Sequence, residues 1–134
     1  MKKIIFPLII ISLGIFNCKN ENITTGLAGN VKYGQGDCMP TIDPVKRVYS
    51  NYNGKLYFIS KSEIDNQVTG TFEDLKANSI NTRVKNGKFS VELPIDTFLV
   101  MPGDVNLYSD QNTVIIEESL VLEKDFSFWK CTSY

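Results

Sequence analysis

The segment "INTRVKNGKFSVEL", Ile80 to Leu93, constrains the fold more than any other part of this 134-residue chain. Ile80, Thr82 and Val84 alternate with polar residues up to Asn86-Gly87, and Phe89, Val91 and Leu93 alternate away from it. A period of two belongs to a strand, because successive side chains point to opposite faces of a sheet. An Asn-Gly pair tolerates the two positive φ angles of a two-residue hairpin turn. Such a hairpin cannot bury its apolar face alone, so it requires further strands.

The remaining sequence supplies them. In "GLAGNVKYG", Leu27, Gly29, Val31 and Tyr33 share one face while Ala28, Asn30 and Lys32 share the other, which predicts a strand with one wet face. In "GQGDCMP", Gly34, Gly36 and Pro40 predict irregular structure and put Cys38 on a loop. "DPVKRVYSNYNG" is tyrosine-rich and expected to be irregular. "KLYFIS" is apolar on both faces and predicts a central strand. Residues 61–78 are expected to form a loop with one short helical turn, or an edge strand around Thr69 to Phe72. "DTFLVMPGD", "VNLYSD", "TVIIEESLVLEK" and "FSFWKC" complete a set of about seven or eight strands with turns roughly every ten residues. The expectation is a single all-β, antiparallel β-sandwich over residues 25–134.

The amino end has a different logic. Met1, Lys2 and Lys3 precede about thirteen uncharged residues, Ile4 to Phe16, the layout of a signal peptide over residues 1–17. A membrane span needs roughly twenty apolar residues. Ordinary signal cleavage prefers small residues one and three positions before the cut, and Asn17 and Ile15 are not small. Ile15-Phe16-Asn17-Cys18 instead resembles a bacterial lipobox, in which the cysteine thiol receives a diacylglycerol and becomes the new N-terminus. That resemblance implies lipidation at Cys18, a polar tether over residues 18–24, and a membrane partner reached through the lipid. It implies a cell-envelope location. Lys19 stands where an aspartate would mark retention at the inner membrane, so the outer membrane is expected. A secreted protein without lipid is the alternative.

With Cys18 set aside, Cys38 and Cys131 form an even pair in an oxidising compartment, which favours a disulfide joining the first loop to the last strand. Two separate thiols are the alternative.

"NGKFSVELPIDTFLVMPGD", Asn86 to Asp104, resembles the core of carboxypeptidase regulatory-like domains. Gly87, Phe89, Leu93, Pro94 and Phe98 occupy the places of that pattern, and "TGLAGNVKYG" is similar to the opening strand. The "GDCMP" loop with a late cysteine also resembles small lipoproteins of Bacteroidota that carry such a domain. The resemblance implies a transthyretin-like, Greek-key sandwich serving as an accessory or binding module, with no catalytic residues and no cofactor.

Composition narrows the function independently. The chain has a formal charge of −1, and loss of Lys2 and Lys3 would make it more acidic, which argues against nucleic acid as a partner. It contains no histidine, so the commonest general base and metal ligand are missing and Ser60 or Ser90 would lack an imidazole partner. The adjacent acids Glu73-Asp74 and Glu117-Glu118 would point to opposite faces on a strand, unlike a catalytic dyad. Asp37 and Asp43 offer oxygens suited to calcium, but the alternating acids of a calcium loop are missing and turn-forming aspartates are expected, with no metal. Gly34-Gln35-Gly36 is too short for a phosphate loop.

The aromatics remain. Tyr33, Tyr49 and Tyr52 form the candidate binding surface, because aromatic faces offer a glycan or an envelope protein a large contact area at low entropy cost. The competing reading has Tyr57 and Trp129 in the core, Trp129 near the disulfide, and the other tyrosines covering loops. The expected function is a non-catalytic binding or structural module. An envelope enzyme or inhibitor with active groups on loops, and a carbohydrate-binding accessory module, are the alternatives.

Overall fold

A computed structural model describes residues 22–38 and 44–133. Cys18, the amino-terminal segment and Asp43 lie outside the described residues. Nine strands form two stacked sheets, a β-sandwich.

The first sheet is organised by one long strand, β1 (Gly26–Asp37). Its first half pairs antiparallel with β5 (Lys88–Glu92) and parallel with β8 (Val121–Glu123). Its second half pairs antiparallel with β2 (Ser50–Asn51) and parallel with β9 (Phe126–Ser133). This sheet is therefore mixed rather than purely antiparallel. The second sheet is antiparallel, in the order β4 (Ile80–Val84), β3 (Gly54–Ser60), β6 (Asp96–Pro102), β7 (Thr113–Ile116).

The predicted hairpin joins the two sheets. Asn86 and Gly87 have φ of 48° and 77°, the left-handed values a two-residue turn requires. β4 lies in one sheet and β5 in the other, so Val84 and Phe89 enter a common core with Leu27, Val31, Phe58, Val100 and Phe128. The central position expected for "KLYFIS" is also observed, since β3 lies between β4 and β6. Leu56 and Phe58 face the other sheet. Ile59 faces outward with Leu99 and Met101, where Ile64, Phe72 and Leu75 cover them.

Those covering residues belong to two short helices, α1 (Lys61–Asn66) and α2 (Phe72–Ala77), where a loop with one turn or an edge strand was expected. Each has six residues, too few to show a helical stripe in sequence. α2 begins with a reciprocal cap: the Thr71 hydroxyl accepts from the Asp74 N–H, and the Asp74 carboxylate accepts from the Thr71 N–H.

Two further expectations need correction. β1 does not stop at Tyr33 but runs through Gly34 and Gly36 to Asp37, because the Trp129 ring of β9 lies against both glycines. A Cβ on Gly34 would stand 2.6 Å from that ring, and one on Gly36 2.7 Å. The glycines mark close approach within a sheet, not a loop. Conversely, "VNLYSD" forms no strand; it leads into a 3-10 turn at Asp110–Asn112. The Lys76 ammonium donates to the Gly103 carbonyl at 2.9 Å and to the Val105 carbonyl at 3.5 Å, taking main-chain acceptors a ladder would use.

Cys38, just beyond β1, is bonded to Cys131 on β9, with Cα atoms 5.3 Å apart. The Cys38 N–H donates to the Ser133 carbonyl at 3.2 Å, so the bridge continues the β1–β9 ladder.

Candidate functional site

Aromatic and polar groups gather where β1 approaches its carboxyl end. Three local features place them. The tip of the β4–β5 hairpin inserts against residues 51–53: the Asn86 N–H donates to Asn53 Oδ1 at 2.7 Å and the Gly87 N–H to the Tyr52 carbonyl at 2.8 Å. The Tyr52 N–H donates to the Val31 carbonyl at 3.0 Å, which sets Tyr52 beside β1. Lys76, only 3% exposed, reaches from α2 to Gly103 and to Asn106 Oδ1 at 2.6 Å, and so fixes the turn that carries Asp104.

Tyr33 and Tyr52 consequently meet with ring centroids 5.5 Å apart and planes tilted by 37°. The Tyr33 hydroxyl donates to Asp104 Oδ2 at 2.6 Å, and the Lys130 ammonium donates to the same oxygen at 3.2 Å. The Tyr52 hydroxyl donates to the Lys55 carbonyl at 3.0 Å. Above these groups opens a groove of about 570 Å³, edged by Gln35, Asn51 and Asn53.

The electrostatics oppose ionisation of the two phenols and favour it at the carboxyl. Burial, reinforced by the hydrogen bond to Asp104 and its charge, pushes the Tyr33 phenol well above the ordinary tyrosine value. Burial also raises Tyr52. Burial pulls Asp104 upward, but the hydrogen bonds from Tyr33 and Lys130 and the Lys130 charge outweigh it, leaving the carboxyl below its ordinary 3.8. The pair is a neutral phenol donating to an anionic carboxylate. Tyr33 is thereby an unsuitable general base, while Asp104 retains acceptor capacity for a ligand hydroxyl.

Of the three tyrosines named from sequence, Tyr33 and Tyr52 come together and Tyr49 does not join them. Tyr49 packs edge-on against Trp129, with centroids 5.5 Å apart, and the Arg47 guanidinium lies 5.0 Å from the centre of the Trp129 ring. Trp129 is half-buried beside the disulfide rather than enclosed in the core, and Tyr57 sits on the outer face of β3 under the Lys76 ammonium. Ser60 donates to Asp96 at 2.7 Å, and Asp74 belongs to its helix cap. Asp37 ends β1. Among the described residues, no three acid or cysteine side chains converge as a metal site would require.

Asp104 and Arg47 had no signal in the sequence. "MPGD" announces a turn and says nothing of Tyr33, 71 positions away. Arg47 falls in a segment whose only mark is its tyrosines.

The fold and this face define a β-sandwich with an aromatic groove at one end. No protein-family model, curated protein or solved structure matches the chain.

Proposed function

We propose that this protein is a lipid-anchored, cell-envelope binding module without a catalytic centre, presenting the Tyr33–Tyr52 groove to an envelope glycan. The observation that carries the reading is the position and chemistry of that groove. A strand rises about 3.3 Å per residue, so Tyr33 stands roughly 23 Å along β1 from Gly26, where the tether enters the sandwich. A lipid on Cys18 would hold the Gly26 end toward the membrane and leave the groove facing away from it. The Cys38–Cys131 bridge uses the other two cysteines of the chain, which leaves Cys18 available for the lipid.

The groove combines two aromatic rings with a carboxylate and amides, the mixture that suits a polyhydroxylated ligand. Ring faces cover the C–H surface of a sugar while Asp104, Asn51 and Gln35 exchange hydrogen bonds with its hydroxyls. A protein partner is the second reading, favoured by the same aromatic area. The resemblance to carboxypeptidase regulatory-like domains agrees with either.

Two measurements test the proposal. The full chain should incorporate labelled palmitate and Cys18→Ala should not; equal labelling of both refutes the anchor. On native gels containing envelope polysaccharide, the wild-type chain should be retarded, and Gln35→Ala or Asp104→Asn should relieve the retardation. Identical mobility of all three proteins refutes the glycan reading.

A further inference from the structure

Three side-chain nitrogens are buried without a protein acceptor among the described residues: Arg47 Nε, Asn112 Nδ2 and Trp129 Nε1. All three residues line one cavity of about 260 Å³ beside the Cys38–Cys131 bridge. Asn112 is only 6% exposed. Folded proteins pair nearly all their buried polar groups, because an unpaired donor loses its hydrogen bond to water and gains nothing in return. Three residues that each carry an unpaired buried donor border this one cavity, which marks it as a place for acceptors.

We infer that this cavity is a binding site for a small organic carboxylate. The orphaned groups are a guanidinium, an amide and an indole, each offering an N–H, so the occupant presents oxygens. The guanidinium is the single cation among the cavity's lining side chains and matches one negative charge, that of a carboxylate rather than a phosphate dianion. Its planar fork suits a carboxylate's two oxygens. Arg47 is held against the Trp129 ring, so its charge is placed before a ligand arrives.

The remaining walls identify the body of the ligand. Tyr49 and Leu107 offer aromatic and apolar surface beside the polar side chains of Ser109, Gln111 and Ser127, which favours a small organic acid over a bare ion. The space is several times the ~30 Å³ share of one water and accommodates a ring bearing the carboxylate. This cavity shares no lining residue with the Tyr33–Tyr52 groove, and the inference does not rest on the glycan reading.

Trp129 is the only tryptophan in the chain, so its fluorescence reports on the cavity without a label. The full chain in mild detergent is titrated at constant ionic strength with benzoate, with neutral benzamide and with phenyl phosphate. Benzoate should change the emission saturably, with a dissociation constant at least tenfold lower than those of the other two. Arg47→Gln should weaken benzoate at least tenfold. Asn112→Asp, nearly isosteric but placing a negative charge against the ligand, should do the same. If near-UV circular dichroism shows that one variant has lost its fold, the other decides. Absence of a saturable response to benzoate would mean that the donors are satisfied by water alone and would overturn the inference. So would an equal response to benzamide, tighter binding of phenyl phosphate, or undiminished benzoate binding in a folded variant.

Discussion

Tyr33 on β1 and Asp104 in the turn after β6 are joined by a 2.6 Å hydrogen bond from phenol to carboxylate, across a sequence separation of 71. The bond links the two sheets at the end of the sandwich where the groove opens. Lys130 completes it from β9, on the other side of β1 from β2.

This pair should give the protein a stability profile with two pH limits. Asp104 ionises more readily in the folded chain than at its ordinary 3.8, so its contribution is present above that value and lost as the pH falls through the folded pKa. Tyr33 is raised above its ordinary 10.0, so its contribution is present below pH 10 and lost as the pH rises toward the folded value. Tyr33→Phe should flatten both limbs. At neutral pH it should cost about 1 kcal/mol, the value of a hydrogen bond to a charged group reduced by solvent exposure. Thermal melts of both proteins from pH 2 to 11 measure this, and superimposable profiles would deny the linkage.

Lys76 should matter beyond its own helix. Its ammonium, nearly inaccessible, holds Gly103, Asn106 and, at 3.4 Å, Glu73. Lys76→Met keeps the stem but strands those acceptors, so the expected loss is about 3 kcal/mol in urea denaturation. The turn bearing Asp104 should loosen with it, seen as a weakened tyrosine signal in near-UV circular dichroism. A loss below 1 kcal/mol would mean that the turn supports itself.

Gly34→Ala probes the contact between β1 and the tryptophan. The added methyl would meet the Trp129 ring at 2.6 Å and the Val48 carbonyl at 2.5 Å, so ring or strand must shift. Destabilisation of about 1 to 3 kcal/mol is expected, with a red-shifted Trp129 emission as the ring moves toward water. An unshifted spectrum at unchanged stability would place the ring elsewhere.

Removing the bridge by substituting both Cys38 and Cys131 with Ser should lower stability by about 2 to 4 kcal/mol, since the bond closes a long loop, with a sequence separation of 93. Peptide mapping of the unreduced chain should recover residues 38 and 131 in one linked fragment. Two alkylatable thiols would contradict the bridge.

The sequence by itself determined the elements whose physics is local. Asn86-Gly87 specified its hairpin because those two residues tolerate positive φ, and the period of two placed Val84, Phe89, Val91 and Leu93 in the core, whereas Ile80 at the start of β4 stays 39% exposed. "KLYFIS" announced a central strand because both of its faces are apolar, and the even cysteine pair announced its bridge. Tertiary structure decided whatever depends on a distant partner. Gly34 and Gly36 read as loop residues until Trp129, some 95 positions on, required their missing side chains. "VNLYSD" reads as a strand in sequence, but Lys76 takes its Val105 carbonyl. Tyr33, Tyr49 and Tyr52 stood together in sequence, but their partners Asp104, Trp129 and the hairpin turn were chosen by sheet register. Backbone preference and side-chain alternation act over a few residues. A site made of contacts across two sheets exists only once the chain has folded, because only then do the separated segments share one low-dielectric surface.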